Sequence, residues 1–544
     1  MAILWPFVLG LFTAASAVAT GCSELPTVDL GYELHQAISF NETGQYYNFS
    51  NIRYARDPSG DLRFAAPQPP LQNRTSVQRG ETNVACPQAF AVWYLCGLAQ
   101  LSGTIKSTKD CGPSLLPPPD PAEREDCLFL DVIVPRSIFD SRKSKPAPVM
   151  VWVYGGGFAF GKKGQDGNPA GLLAQSQQVD PEGRGIIYVQ FNYRGGAFGF
   201  LQGPSVQANG TANAGLLDQR MALEWVQHHI HNFGGDPKRV TVFGQSAGGG
   251  SILHQITAHG GSNGPAPFQK AIMQSPGFPL VASRYQQENL TQRFLQHLNL
   301  STISEARKQP YEALYAANVA MVANSNYGTF TWAPAPDNDF VPGLPGTLLS
   351  QGLYDKSVKI MTGFNSHETL YFTSPNNTDN AFFVSNLKTT FLGIQESVIN
   401  DVSEILYPPI FNTTLYSDFF SRAELALAES AFTCNTYYLQ KAFRQFSSTY
   451  GYRFNIPPGY HGEDVPYTFY NGPNGDINAS VAIPLQRHLT SFAIRGNPNR
   501  GAQVRMPVYG SEGLILDLTP EGEQVISDPN HNDRCSWWQQ SLYY

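Results

Sequence analysis

The pattern of apolar positions changes its period along the chain, and through the middle third it predicts strands and helices in alternation. Short runs of Val, Ile and other apolar residues predict buried strands at residues 149–154, 186–191, 240–243 and 271–274. Between the second and third runs, apolar residues recur at helical spacing from Ala222 to Phe233, and Gly234 ends this helix. Strands that alternate with helices predict an α/β fold, with a large, mostly parallel central sheet covered by helices on both faces.

The segments on either side of this block predict insertions into the same fold. Residues 28–66 predict short strands and turns, whereas residues 86–127 are rich in Gly, Pro and Ser and predict a long surface loop. Helical spacing dominates residues 279–351 and 425–442, and further strands are predicted at residues 359–363, 450–456 and 514–518. No repeat or linker divides the 544 residues, so residues 21–544 are expected to form one domain with helical insertions.

The N-terminus and the glycosylation acceptors predict secretion. Residues 2–19 are apolar and end in small residues, so residues 1–20 are expected to be a signal peptide, with an N-terminal membrane anchor as the alternative. No later stretch is long and apolar enough for stable membrane insertion. Asn-x-Ser/Thr acceptors are dense, which is typical of a secreted glycoprotein. They lie at Asn41, Asn48, Asn73, Asn209, Asn289, Asn299, Asn376, Asn412 and Asn478.

The cysteines favour disulfides, and the overall charge gives no support to binding of nucleic acids or anionic membranes. Seven cysteines without metal-site spacing favour disulfides, and the odd number leaves one thiol unpaired or in an intermolecular bridge, with Cys22 as the candidate. Lys and Arg total 36 against 43 Asp and Glu, a net charge of −7 that gives no electrostatic reason to expect nucleic-acid or anionic-membrane binding. The basic cluster at residues 142–145 is expected to be a solvated loop.

The candidate chemistry starts at Gly244-Gln245-Ser246-Ala247-Gly248, where a predicted strand runs into a predicted helix. A strand–turn–helix with glycines on both sides can hold the Ser246 hydroxyl at the tip of a sharp elbow. By itself the pentapeptide also fits a glycine-rich turn. The interpretation as a nucleophile therefore requires a base, an acid and donors for an oxyanion elsewhere in the chain.

The chain supplies all three. His461 follows the strand at residues 450–456 in a Gly/Pro loop and is the expected base, with His367 as the alternative. Glu368 is the expected acid, although alone it would fit a solvated loop carboxylate, and it gives the order Ser, acid, His typical of an α/β-hydrolase. Gly156 and Gly157 follow the strand at residues 149–154 and, if they are more than a flexible turn, can donate N–H groups to an oxyanion together with Ala247.

Several further blocks make the chain resemble the type-B carboxylesterase/lipase family, which includes cholinesterases and many secreted fungal esterases. Beside Gly244–Gly248, they are Glu125-Asp-Cys-Leu-Phe-Leu130, Tyr154-Gly-Gly-Gly-Phe158, Asn192-Tyr-Arg194, Asn213-Ala-Gly-Leu-Leu-Asp-Gln219 and Phe233-Gly-Gly-Asp-Pro237. The resemblance implies an α/β-hydrolase fold, a triad of Ser246, Glu368 and His461, and an oxyanion hole of Gly156, Gly157 and Ala247. It requires no cofactor and no metal.

The resemblance also implies disulfides. A Cys86–Cys127 bridge would close the long loop and stabilise the fold by about 4 kcal/mol in the chain-entropy model. Pairing of Cys96 with Cys111, and of Cys434 with Cys535, is expected on the same ground.

Three positions depart from the family's pattern. Gln245 stands where cholinesterases carry Glu, which removes a negative charge that would favour cationic substrates. Trp93 does not align securely with the tryptophan that stacks on choline, so a choline ester is disfavoured as the substrate. Thr369 follows Glu368 where family members usually have Gly.

The sequence therefore predicts a secreted serine carboxylic-ester hydrolase that forms an acyl-enzyme with a small-molecule ester. The alternatives are a lipase, a dedicated ester hydrolase or acyl-transfer enzyme of a secondary-metabolite pathway, and a non-catalytic cholinesterase-like adhesion protein. The sequence leaves the acyl and alcohol groups and the oligomeric state open.

Overall fold

A computed structural model describes residues 24–80, 83–106, 108–278, 281, 283–411 and 414–543. The expected signal peptide, Cys22 and the acceptor Asn412 lie outside these residues. Within them, no helix has the length and apolar character needed to cross a bilayer.

The strands follow the predicted order, and the predicted apolar runs form the middle of the sheet. They are β1 (Thr27–Asp29), β2 (Glu33–Gln36), β3 (Ser39–Asn41), β4 (Tyr46–Arg53), β5 (Asn73–Gln78), β6 (Phe129–Pro135), β7 (Ala147–Val153), β8 (Ile187–Phe191), β9 (Gly235–Gln245), β10 (Lys270–Gln274), β11 (Lys359–Asn365), β12 (Tyr450–Phe454), β13 (Leu514–Thr519) and β14 (Gly522–Ser527).

The α-helices lie between and after these strands. They are α1 (Val92–Leu101), α2 (Arg136–Asp140), α3 (Ala170–Val179), α4 (Gly196–Phe200), α5 (Pro204–Asn209), α6 (Ala214–His229), α7 (Ala247–Thr257), α8 (Arg284–His297), α9 (Ile303–Arg307), α10 (Tyr311–Ala323), α11 (Pro345–Ser350), α12 (Asn380–Thr390), α13 (Glu396–Asn400), α14 (Phe419–Ala428), α15 (Cys434–Phe443), α16 (Asp464–Thr468), α17 (Ala479–Arg495) and α18 (Asp533–Trp538).

The large sheet has eleven strands in the order β14-β13-β12-β11-β10-β9-β7-β8-β6-β4-β3. From β8 to β13 all neighbours are parallel, while the strands beyond them at both edges pair antiparallel. A separate sheet joins β1, β2 and β5. The predicted α/β-hydrolase fold, with a mostly parallel central sheet, is confirmed.

The second half of strand β9 shows why the central strands are apolar where they cross the core. Thr241 and Phe243 point to one side, where the Thr241 hydroxyl donates to the Ala493 carbonyl of α17 at 3.3 Å and Phe243 packs 4.7 Å from Trp152. Val240 and Val242 point to the other side and are equally buried. Both faces of the sheet are therefore covered along Val240–Phe243, whereas the first half of β9 is polar and includes the exposed Lys238.

One predicted feature is wrong, because residues 86–127 are more than a surface loop. They contain helix α1, which buries Trp93 and Cys96. The Trp93 indole N–H donates to the Thr329 carbonyl at 2.8 Å, and its ring lies 5.1 Å from that of Phe330. Tertiary burial, rather than a polar-apolar periodicity, stabilises this helix.

Two of the three expected cysteine pairings are confirmed. Disulfides join Cys86 to Cys127 and Cys434 to Cys535. The third pairing is wrong for this structure, because Cys96 and Cys111 are free thiols. Burial, and next the hydrogen bond with the Cys111 side chain, raise the pKa of the Cys96 thiol to about 12.

Candidate active site

Ser246 lies at the elbow between β9 and α7, in a strained backbone conformation with φ 59° and ψ −125°. The elbow closes this tightly because its neighbours are glycines: a Cβ on Gly248 would lie 2.0 Å from the Val153 carbonyl oxygen. The Ser246 N–H donates to the Gln274 carbonyl at 3.0 Å, and the Ser246 carbonyl accepts from Gly250 N–H at 2.8 Å. These bonds fix a half-exposed serine at the carboxyl edge of the sheet.

Glu368 and His461 meet because the loops after two adjacent parallel strands, β11 and β12, run side by side. The His367 N–H donates to the Gly459 carbonyl at 2.8 Å and joins the two loops. Nδ1 of His461 lies 2.5 Å from Oε2 of Glu368, and Oε1 of Glu368 accepts from the Asn365 N–H at 2.7 Å. Both side chains are buried, at 6 % and 1 % exposure. The carboxylate is thus placed to hold the imidazole with its proton on Nδ1.

The other ring nitrogen of His461 contacts the residue that precedes the serine. Nε2 of His461 lies 3.2 Å from Nε2 of Gln245. Among the residues that the structure describes, no hydrogen bond joins the Ser246 hydroxyl to His461. Of the two partners predicted for His461, Glu368 therefore contacts the imidazole directly. Ser246 does not, and its neighbour Gln245 contacts Nε2 instead.

Aromatic rings enclose the imidazole. The ring of Phe432 lies 4.4 Å from that of His461, and the ring of Phe372 lies 5.3 Å away. The Tyr371 hydroxyl donates to the His461 carbonyl at 3.0 Å and anchors the loop. These contacts restrict the ring and keep water from most of it.

A second buried carboxylate, Asp464, lies behind the Glu368–His461 pair and was not found from the sequence. It accepts from the Tyr452 hydroxyl and from Nε2 of Gln274, both at 2.9 Å, and from the Asn365 side-chain amide at 3.4 Å. Burial raises the pKa of Asp464 above its usual range, and the negative charge of Glu368 raises it further. Its position three residues after His461 is the only sequence feature that could have pointed to it.

The expected oxyanion donors lie beside Ser246. Gly156 and Gly157 adopt φ values of 118° and 59°, and within the described chain their N–H groups donate to no protein acceptor. A Cβ on Gly157 would lie 2.3 Å from the Phe330 ring, so a larger residue cannot enter there. Ala247 is the first residue of α7, where N–H groups have no partner within the helix. Free N–H groups at this point are suited to stabilise a negatively charged oxygen.

A cleft of about 1290 Å³, including its open mouth, gives access to Ser246. Near the serine its wall is apolar, with contributions from Gly157, Ala247, Phe278, Phe330, Phe372, Leu427 and Phe432. Toward the mouth the wall becomes polar through amides and hydroxyls, and Arg293 is the only charged side chain among its described lining residues. The cleft therefore suits an uncharged, partly apolar molecule.

A second cavity of about 480 Å³ adjoins this cleft. The two share a wall formed by Phe372, Thr390, Phe391, Leu427 and Ser430. Leu427 belongs to α14, so a helix outside the sheet decides how far the cleft extends. We call α8–α10 and α12–α15 the cap helices, and among them α8, α12 and α14 contribute residues to the walls of the two cavities.

Two other side chains considered for the site, those of His367 and Trp93, do not line the cleft. His367 pairs with Glu424, Nδ1 to Oε1 at 3.0 Å, and does not contact Glu368 through its side chain. Trp93 is buried behind Phe330 and does not line the cleft. Among the described residues there is no cluster of three or more His, Cys, Asp or Glu side chains that could hold a metal ion.

Most of the glycosylation acceptors lie at the surface. The side chains of Asn73, Asn209, Asn289, Asn299, Asn376 and Asn478 are exposed, while those of Asn41 and Asn48 are half-buried. Asn289 also lines the mouth of the cleft.

Comparison with known proteins places this geometry in a wider context. A sequence profile of the carboxylesterase family matches residues 35–538. The chain is 41% identical to "Carboxylesterase patB" of Aspergillus clavatus over 95% of its own length and 96% of the relative's. It is 30% identical to "Secreted lipase 1" of Botryotinia fuckeliana, over 88% of this chain and 87% of that one. Among solved structures, Aspergillus niger EstA superposes with a TM-score of 0.79 at 26% identity, covering 95% of this chain and 98% of that one.

Proposed function

The chain belongs to the carboxylesterase family and is a carboxylic ester hydrolase, and from this premise we propose that it is a serine esterase with Ser246, His461 and Glu368 as its triad. The observation that carries the proposal is the 2.5 Å contact between Glu368 and His461 next to the strained Ser246 elbow. A serine hydroxyl is a weak nucleophile, and it needs a base that takes its proton during attack.

In the proposed mechanism, Ser246 attacks the ester carbonyl while Nε2 of His461 accepts its proton. Glu368 stabilises the imidazolium that forms, and His461 then donates the proton to the leaving alcohol. Water, activated by the same imidazole, hydrolyses the acyl-enzyme and regenerates the serine.

Gly156, Gly157 and Ala247 are the proposed oxyanion hole. Gly157 and Ala247 line the cleft beside Ser246, and Gly156 directly precedes Gly157. In the proposed mechanism these N–H groups stabilise the negative charge that the carbonyl oxygen gains in the tetrahedral intermediate. Each donor is worth about 3 kcal/mol in such sites, because it is oriented before the charge develops.

The cleft supports a small, uncharged ester as the substrate. Its inner wall is apolar and its rim is rich in amides and hydroxyls, which suits an apolar acyl or aromatic group near Ser246 and a hydrogen-bonding group toward solvent. Gln245 carries no charge, and Trp93 presents no ring to the cleft, so a choline ester remains disfavoured.

We also propose that the protein is a secreted glycoprotein whose residues 21–544 form one domain. The two disulfides, the exposed acceptors and the relatives named as secreted lipases support secretion. The family match from residue 35 to residue 538 supports a single domain.

The proposal is tested by Ser246→Ala, with Ser262→Ala as the control. Ser262 is an exposed serine outside the cleft, and its hydroxyl bonds only to its own turn at the His259 carbonyl. We expect Ser246→Ala to lower kcat for a p-nitrophenyl ester by about 10⁵–10⁶-fold with an unchanged circular dichroism spectrum, and Ser262→Ala to retain wild-type activity. A fully active Ser246→Ala protein would refute the serine mechanism.

A further inference from the structure

The proposed mechanism leaves one buried contact of the site unexplained, which is that of Gln245 with the catalytic histidine. The Gln245 side chain is 7 % exposed, and its amide nitrogen lies 3.2 Å from Nε2 of His461. Because Nδ1 of His461 donates to Glu368, the neutral ring carries a lone pair on Nε2, and a side-chain amide N–H can donate to it. Gln245 therefore occupies the nitrogen that must act as the base.

Gln245 is packed tightly on one side only. A Cβ on Gly155 would lie 2.8 Å from the Gln245 carbonyl oxygen and 3.2 Å from Oε1. On the other side, a Cβ on Gly462 would lie 3.6 Å from the Gln245 amide nitrogen. The oxyanion loop therefore packs tightly against Gln245 at Gly155, whereas an ordinary van der Waals distance separates the amide from a Cβ at Gly462.

Building on the serine mechanism proposed above, we propose that Gln245 is a positioning residue that holds Nε2 of His461 as an unprotonated base and releases it to Ser246 when an ester fills the cleft. An amide can donate to Nε2 only while this nitrogen carries no proton. A carboxylate at the same position would do the opposite, because it would stabilise the imidazolium. A neutral residue at position 245 thus keeps the base available at lower pH.

The other groups that face His461 do not contact its Nε2, which Gln245 contacts. Glu368 is bonded to Nδ1, and Asp464 lies behind it. Glu463 accepts from the Gly459 and Tyr460 N–H groups, and burial raises the pKa of its carboxyl. The remaining contacts are the uncharged rings of Phe372 and Phe432 and the Tyr371 hydroxyl, whose pKa is raised well above its usual range by burial.

The first test is Gln245→Glu, with kcat/KM for a p-nitrophenyl ester measured as a function of pH. We expect the acid limb of the profile to move to higher pH by about one to three units, because the new carboxylate lies within contact distance of the imidazolium. Gln175→Glu is the matched control. It adds the same charge on α3, where Gln175 already accepts from the Arg487 guanidinium at 2.9 Å, and it should leave the acid limb in place.

Gln245→Met is the second test, which remains available if the carboxylate variant does not fold. It removes the amide donor without adding a charge, so the unprotonated base loses about one hydrogen bond. The acid limb should then move to higher pH by roughly half to one unit. A residue that merely fills space could change kcat but would not move the limb.

The outcomes separate this proposal from the one on which it rests. If folded Gln245→Glu or Gln245→Met protein has the acid limb of the wild type, the positioning role is wrong and the serine mechanism stands. If Ser246→Ala protein retains wild-type activity, the serine mechanism itself has failed. A shift in both Gln245 variants, larger for Glu than for Met, with none in Gln175→Glu, supports the proposal.

Discussion

The carboxyl edge of the central sheet and the cap helices both border the cleft, but they are held in place in different ways. At the sheet edge, each functional side chain follows a strand, and backbone hydrogen bonds between adjacent loops fix its position, as in the bond from His367 to Gly459. The cap helices contribute through side-chain packing, with Leu427 and Phe391 as parts of the shared cavity wall. Backbone bonds tolerate little displacement, whereas packed apolar side chains can be exchanged for others of similar volume.

This difference assigns separate tasks to the two regions. In the proposed mechanism, the sheet edge carries the chemistry of ester hydrolysis, which depends on a few atoms at fixed distances. The cap helices contribute to the wall of the cleft, and we propose that they decide the choice of ester. Substitutions at the carboxyl edge of the sheet should therefore change the rate for all esters. Substitutions in the cap helices should change the preference among esters.

Glu368→Gln should have the largest effect, and it should reduce the rate for every ester. An amide in place of the carboxylate no longer fixes the proton on Nδ1 of His461, and we expect kcat to fall by about 10³–10⁴-fold. The control is Glu424→Gln, because Glu424 also pairs with a histidine, His367, but outside the cleft. Steady-state kinetics on a short and a long ester would measure both. A similar loss in the two variants would contradict the assignment of Glu368.

A smaller and selective effect is expected from Leu427→Ala. Removing this side chain from the shared wall should join the cavities of about 1290 and 480 Å³. The ratio of kcat/KM for a long-chain ester to that for an acetate ester should rise about tenfold or more. Leu425→Ala is the matched control on the same helix, since Leu425 lines neither cavity. Equal loss of activity on all esters would contradict the separation of tasks.

The smallest effect on catalysis is expected from removal of the disulfide between α15 and α18, in the double variant Cys434→Ala/Cys535→Ala. This bond closes a loop of 101 residues, so its loss should lower the free energy of unfolding by about 2–5 kcal/mol. Because the sheet edge is unchanged, kcat should stay close to that of the wild type well below the unfolding transition. Denaturant unfolding and kinetics on the same samples would test this. A large loss of kcat in folded protein would show that the edge depends on the cap.

The sheet edge could be predicted from the sequence because its residues follow strands that contain continuous buried runs. The apolar runs at β7, β8, β9 and β10 predict the order of the central elements. The glycines at Gly156, Gly157 and Gly248 mark places where a Cβ does not fit. The order Ser246, Glu368, His461 then followed from the fold. The fold and the family are confirmed, whereas the roles of these residues stay a prediction.

The cap helices and helix α1 could not be predicted in the same detail, because long-range packing determines them. Helix α1 packs so closely against the backbone after β11 that a Cβ on Gly97 would lie 2.9 Å from the Tyr371 carbonyl oxygen. Tyr94 and Tyr371 are far apart in sequence, and no local pattern reveals that their rings meet at 5.9 Å. The free thiols of Cys96 and Cys111 could not be predicted either, for the same reason. The sequence predicts that they pair, and the structure shows them unbonded.

The central claim is that Ser246 is the activated nucleophile, and covalent labelling tests it most directly. The protein would be treated with an organophosphonate ester, which phosphonylates an activated serine, and the modified peptide would be identified by mass spectrometry. The account predicts one label per chain, located on Ser246, with no labelling of the Ser246→Ala protein and strongly slowed labelling of Glu368→Gln. Labelling at another serine, or none in protein that hydrolyses esters, would contradict it.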